Sequence, residues 1–213
     1  MNIWTHLAAY SLIETQRLYL RPFLFEDAED FYNIASNPDN LQFIFPAQAD
    51  LAETQYVLAN YFMKNPLGVW AICDKETNQM IGSIKFEKLD EIKGEAELGY
   101  FLRKDFWGKG LMTEAVKELV SLSFEKFQLK ELKIVTHVEN AGSQKVALKA
   151  GFRLFRQFKG SDRYTRKMRD YYDFRLGRGD FYEKTPRDFR LSRKITDWKT
   201  GQCPQYLQFF ECQ

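Results

Sequence analysis

The chain has 213 residues, 45% of them hydrophobic and 28% charged, which suits one globular domain with a sizeable core. Its 31 basic and 29 acidic residues leave a net charge of +2, so there is no electrostatic ground to expect nucleic acid as an obligate partner. The three cysteines, Cys73, Cys203 and Cys212, are odd in number, far apart and without disulfide-framework or metal-ligand spacing, so a reducing, cytoplasmic setting and no metal are expected.

Residues 1–17 lack the basic and apolar regions of a signal peptide, and no apolar run is long enough to span a bilayer, so a soluble protein without a membrane partner is expected. Residues 1–12 carry Trp4 and Tyr10 but no clear period, and read as a short extension docked through its aromatics. Residues 17–21 alternate as a strand and stop at Pro22, which has no N–H for a ladder. A helix is predicted over 26–36 with Ala28, Phe31, Tyr32 and Ala35 inward, ended by Asn37-Pro38. The looser stretch 39–49 holds Phe43, Ile44, Phe45 and Pro46, which either plug the core or line a substrate site. Asp50 caps a second helix, with Glu53 at capping-box spacing and Leu51, Val57, Leu58 and Phe62 on its apolar side. Strands over 69–73 and 79–86 form a hairpin across a polar turn, and Gly82 inside the second marks a bulge or a close backbone approach.

The stretch 94–127 organises the chain. Ala96, Leu98, Tyr100 and Leu102 alternate as a strand with one face toward a core, while Glu95 and Glu97 share the other face. From Leu111 the period becomes helical through Ala115, Leu119, Leu122 and Phe124. Between them lies Gly108-Lys109-Gly110, whose glycines let the backbone approach a ligand closely at a helix N-terminus with unpaired N–H groups, which is the composition of an anion-binding loop. There is no P-loop pattern, and a third glycine at dinucleotide spacing is missing.

Downstream, residues 131–138 alternate as another strand. Asn140 caps a short helix that ends at Gly151, in the left-handed position after it. A strand resumes over 152–158, Gly160-Ser161-Asp162 reads as a turn, and residues 171–176 make the last strand. The order implies an α/β (α+β) fold with a mixed sheet.

Taken together, the motifs resemble the GNAT superfamily of acetyl-CoA-dependent N-acetyltransferases, more narrowly the Rim-type ribosomal-protein N-terminal acetyltransferases. The likeness rests on residues 14–22, ETQRLYLRP; on Glu97-Leu98-Gly99-Tyr100; on Phe106-Trp107-Gly108-Lys109-Gly110 with Thr113-Glu114-Ala115; and on Asn140-x-x-Ser143 with Lys149-x-Gly151-Phe152. It covers about residues 13–176 and implies a mostly antiparallel sheet with a splayed central strand pair and helices on both faces. It also implies that acetyl-CoA is held by the strand end Phe101, Leu102 and Arg103, by the loop residues Trp107, Gly108, Lys109, Gly110, Leu111 and Met112, and by Asn140 and Ser143. The family often has Gln or Arg three residues before the first loop glycine, where this chain has Asp105; that carboxylate is expected to point away, with Arg103, Lys104 or Lys109 supplying charge.

For such chemistry Glu97, or Glu95 on the same strand face, is the candidate base acting through a water, and Ser143 the candidate donor to the departing thiolate. The tyrosine that many members carry in this helix is absent from residues 143–150, and His137 is read as structural. The acceptor implied is a primary amine, foremost a protein N-terminus on a ribosomal protein. Two alternatives stand beside it: a polyamine or aminoglycoside acceptor, which an acidic cleft would favour, and a GNAT-like module that binds acyl-CoA without catalysis, which Asp105 and the missing tyrosine would favour. Residues 177–213 are an aromatic and basic extension, expected to be ordered and to pack on this domain or on the second subunit of a homodimer.

Overall fold

The computed structural model describes residues 2–184. The expected order of the C-terminal extension therefore concerns residues that lie, beyond position 184, outside the described ones. Helix α1 (Ile3–Ala9) begins with Asn2, whose side chain accepts the Trp4 N–H at 2.8 Å, and buries Ile3 and Leu7 in the main core. With two anchors in seven residues it was too short to show a period; of the two aromatics expected to dock, Tyr10 packs edge-on to Phe127 at 5.8 Å, while Trp4 is 41% exposed and donates its indole N–H to Glu91.

Strands β1 (Ile13–Glu14), β2 (Leu18–Arg21), β3 (Val69–Asp74), β4 (Met80–Asp90), β5 (Glu95–Leu102), β6 (Glu131–His137), β7 (Arg153–Ser161) and β8 (Met168–Gly177) build a single sheet. Their order is β1-β2-β3-β4-β5-β6-β8-β7, and every pairing is antiparallel except β5 with β6. Helices α2 (Ala28–Ala35), α3 (Pro38–Leu41), α4 (Leu51–Val57), α5 (Leu111–Glu125), α6 (Ala141–Lys149) and α7 (Arg178–Lys184) follow, with single 3₁₀ turns at Phe25–Asp27 and Lys104–Phe106. As predicted, Asp50 caps α4 through the Glu53 N–H at 2.8 Å; the helix then widens into π-type turns over Leu58–Met63.

The sheet separates two cores. On one face, Leu98, Leu102, Leu132 and Ile134 meet Leu111, Ala115 and Leu119 of α5 and Ala147 of α6. On the other, Phe101 stacks on Phe31 of α2 at 5.9 Å between ring centres, and Phe62 closes the cluster. Gly82 meets both parts of its expectation. It sits at a register shift between β3 and β4, and a Cβ there would lie 2.3 Å from the Phe101 carbonyl oxygen. The β7–β8 hairpin is longer than predicted because β7 runs through Gly160 to Ser161. Its turn falls instead at residues 162–167, where Asp162 accepts hydrogen bonds from the Tyr164 and Thr165 N–H groups and the Thr165 hydroxyl.

Candidate active site

The defining geometry is a gap in the sheet. β5 and β6 pair only from Glu95↔Glu131 to Glu97↔Lys133, yet β5 runs on to Leu102 and β6 to His137. Beyond Glu97 the two strands diverge, so backbone groups on the inner edge of each lack the ladder partners a sheet would supply. The Arg103 N–H donates to Ile81 on the β4 side, so alternation along the strand turns Leu102 and Tyr100 to the gap and Phe101 to β4. The Leu102 carbonyl is already taken by the Trp107 indole N–H at 2.6 Å.

At the mouth of the gap the glycine loop turns into α5. Gly108 and Gly110 adopt φ of +77° and +80°, values open to glycine at little cost. Gly110 is the N-cap and has no side chain to satisfy the first helical amides; from Gly108 to Met112 the N–H groups make no hydrogen bond among the described residues. The nearby charges are engaged. Arg103 holds Asp105 at 2.8 Å and stacks on Phe106, Lys104 pairs with Asp39 at 2.7 Å, and Lys109 lies over the Phe106 ring. Asp105 is thus neutralised from its own strand end.

Two groups missed in the sequence are brought in by the fold. Tyr100, whose alternation with Leu98 and Leu102 marks it as core, extends its hydroxyl to Ser143 at the start of α6, 3.0 Å from Oγ and 3.3 Å from the carbonyl oxygen. Burial pushes the phenol up to about 12, only partly opposed by the Ser143 bond. Asn140 uses its side-chain oxygen to accept the Ser143 N–H at 3.0 Å, which fixes the turn that presents the hydroxyl. Arg17 is the second. Its Nε donates to Glu114 Oε2 and its Nη1 to the Lys109 carbonyl, tying β2 to both the loop and α5 across more than ninety positions of sequence.

Glu97 and Glu95 lie on the opposite face of β5 from Tyr100, as alternation requires. Glu97 pairs with Lys88 at 2.8 Å and Glu95 with Lys133, so both carboxylates sit among partners on a half-buried polar face. That face continues onto β8, where Asp173 holds Arg175. His137 packs on Tyr171 and Phe43, with Nε2 3.7 Å from Asp162. Burial holds its imidazole below the usual range despite Asp162.

Residues 17–153 match the family described as the acetyltransferase (GNAT) domain. The chain belongs to that family. An N-acetyltransferase of Bacillus licheniformis is 26% identical to this GNAT protein over 166 residues, spanning 76% of this chain and 93% of the relative. A GNAT-family acetyltransferase from Bacillus anthracis superposes with a TM-score of 0.71 at 23% identity, covering 79% of this chain and 99% of that one. The RimL ribosomal alpha-N-protein acetyltransferase, solved in complex with coenzyme A, superposes with a TM-score of 0.67 at 21% identity over 78% of this chain and 97% of its own. The protein is accordingly an acetyl-CoA-dependent acyltransferase of GNAT type, with the mixed, splayed sheet the motifs implied. No helix among the described residues is long and apolar enough to cross a membrane, and no cluster of metal-ligating side chains occurs among them.

Proposed function

We propose that this GNAT protein acetylates the α-amine of a protein N-terminus, of the ribosomal-protein kind, with acetyl-CoA seated in the β5–β6 gap. The observation that carries the reading is the gap itself, bordered at one end by open loop amides and at the other by the Ser143 hydroxyl. The diphosphate is held by amides from Gly108 to Met112, and the pantetheine arm pairs with Tyr100 and Leu102 in place of the absent β6 ladder. Asn140 fixes the start of α6 at the thioester end.

Each side chain then has a separate task. The acceptor amine approaches from the Glu97 face of β5, and Glu97 takes its proton through a water. The amine nitrogen bonds to the thioester carbon, and the carbon–sulfur bond breaks. Ser143 donates a hydrogen bond from its hydroxyl to the departing thiolate on the other face, and the sulfur takes its proton from solvent.

Charge on the Glu97 face favours a peptide over a polycation. Glu87, Glu95, Glu97, Glu131 and Asp173 are matched there by Lys85, Lys88, Lys133, Arg163 and Arg175, so the surface is not an acidic cleft for a polyamine or aminoglycoside. The RimL likeness agrees with this choice. The test is a panel of N-terminal peptides, polyamines and aminoglycosides with acetyl-CoA, read by thiol release and by mass of the product. Peptide turnover with an acetylated α-amine is expected. Faster turnover of spermidine would replace the acceptor, and no turnover with any amine would remove catalysis.

A further inference from the structure

The anion-binding loop is braced by an arginine from β2's approach, and the brace has a consequence for the cosubstrate. Glu114 occupies the first turn of α5, beside the unpaired amides. A carboxylate there suits the helix dipole, but it would repel a diphosphate seated on those same amides. Three donors answer it. The Thr15 hydroxyl and the Arg17 N–H both donate to Oε1, at 2.7 and 2.8 Å, and Arg17 Nε donates to Oε2 at 2.8 Å, while Arg17 Nη1 reaches past to the Lys109 carbonyl at 3.0 Å. Burial would raise the Glu114 carboxyl, but the bonds from Thr15 and Arg17 more than offset it and hold the group below the usual range, so it remains a charge that has to be neutralised in place.

The guanidinium therefore does two jobs with one planar group. Nε and Nη1 set the relation between the loop backbone and the helix, which a lysine cannot reproduce because it lacks the fork. Nη2 lies beside Gly110, 3.7 Å from where a Cβ would stand, and the side chain is 46% exposed, so positive charge is presented at the loop itself. The three cations nearer in sequence are spent on Asp105, Asp39 and the Phe106 ring.

We infer that Arg17 is a positioning and charge-supplying residue for the diphosphate of acetyl-CoA, acting through the Lys109 carbonyl and the Glu114 carboxylate. The inference rests on the placement of that diphosphate at Gly108 to Met112. It implies selectivity for cosubstrates that carry the diphosphate over those that end at pantetheine.

The experiment compares acetyl-CoA with S-acetyl-pantetheine, which has the thioester but no diphosphate. Loss of a charge-assisted bond at a half-exposed site predicts that Arg17→Gln weakens coenzyme A binding in calorimetry by about tenfold. The ratio of kcat/KM for acetyl-CoA to that for S-acetyl-pantetheine is expected to fall by a similar factor. Arg17→Lys, which keeps charge but not the fork, recovers less than half of the loss in log affinity. An equal loss for both thioesters, or full rescue by lysine, overturns the inference, since a structural defect lowers both and a bare charge needs no fork. If Arg17→Gln is too unstable to purify, Arg17→Lys alone decides, because it too must lose affinity selectively for coenzyme A. Gly110→Asp serves as the control for the site: it abolishes coenzyme A binding if the loop holds the diphosphate, and unchanged affinity there sinks the loop placement and this inference together.

Discussion

Tyr100→Phe removes a single oxygen, and the structure fixes what that oxygen does. The ring keeps its place against the α5 core, while the bonds to Ser143 Oγ at 3.0 Å and to its carbonyl at 3.3 Å disappear. With the phenol at about 12 and a coenzyme A thiol near 8.5, passing the phenolic proton to the sulfur would be uphill by about 3.5 units, or about 5 kcal/mol. Tyr100 therefore keeps its proton and donates it to the Ser143 carbonyl, which in the proposed reaction leaves the Ser143 hydroxyl hydrogen available to the sulfur. One neutral hydrogen bond contributes about 1 kcal/mol, so kcat is expected to fall about five- to tenfold, with a profile parallel to the wild type from about pH 6 to about pH 9. Stability reports the same group at higher pH. Its folded pKa is raised above the unfolded value of 10.0, so the neutral form favours the native state; that contribution is complete below about pH 10 and is lost as pH rises toward 12, an effect of about 2–3 kcal/mol. Urea denaturation of the pair at pH 8 and near pH 11 isolates it, because Cys73, whose thiol burial also pushes up to about 12, titrates in both proteins and cancels. Unchanged kcat with lower stability would make Tyr100 a structural residue. A rate defect that deepens between about pH 6 and about pH 9 would mean the phenol does give up its proton, against the arithmetic above.

Glu97→Gln keeps shape but not the proton acceptor, and is expected to lower the rate about 10²–10⁴-fold with acetyl-CoA affinity nearly unchanged, the defect shrinking as pH rises and more amine arrives neutral. Because Lys88 is 73% exposed, losing their ion pair should cost under about 1 kcal/mol, so a folded, inactive enzyme is expected; full activity across the pH range removes Glu97 from the mechanism. Gly82→Ala places a Cβ 2.3 Å from the Phe101 carbonyl oxygen, a backbone contact that cannot rotate away. A cost of about 3 kcal/mol follows, lowering Tm by about 6–12 °C and weakening acetyl-CoA binding at the adjacent strand end, whereas an unchanged scanning-calorimetry midpoint would show that β4 and β5 part there freely.

The local physics of the chain was legible wherever a period or a glycine encodes it. Alternation placed Ala96 and Leu98 against α5, and the two glycines announced the left-handed turns before α5. What stayed hidden is pairing at long range. Nothing at positions 17 and 114 declares that they meet, since Arg17 reads as the start of a strand and Glu114 as the polar side of a helix. Tyr100 was obscured differently: its parity is that of a core residue, and its polar end finds a partner only because α6 starts where β6 has turned away. Helix α1 was missed and the β7–β8 turn misplaced for a related reason. Leu7 is an anchor only against a sheet not yet built, and Gly160 is held in β7 by pairing with Arg169.

The short β5–β6 pairing also shapes the mechanics of the molecule. Three residue pairs, extended at their start by the Lys130 and Glu131 N–H bonds to the Gly94 carbonyl, form the backbone seam between a five-stranded half, β1 to β5, and a three-stranded half, β6 to β8, with α5 packed beneath both. Such a seam is the compliant line of an otherwise continuous plate, and strain applied to either half concentrates at Glu95, Ala96 and Glu97. A molecule lying between the strands stiffens that line by supplying rungs the polypeptide omits. In the proposed binding mode, acetyl-CoA would join the two halves along the length of β5 that the ladder leaves open, beside the strand that carries Glu97.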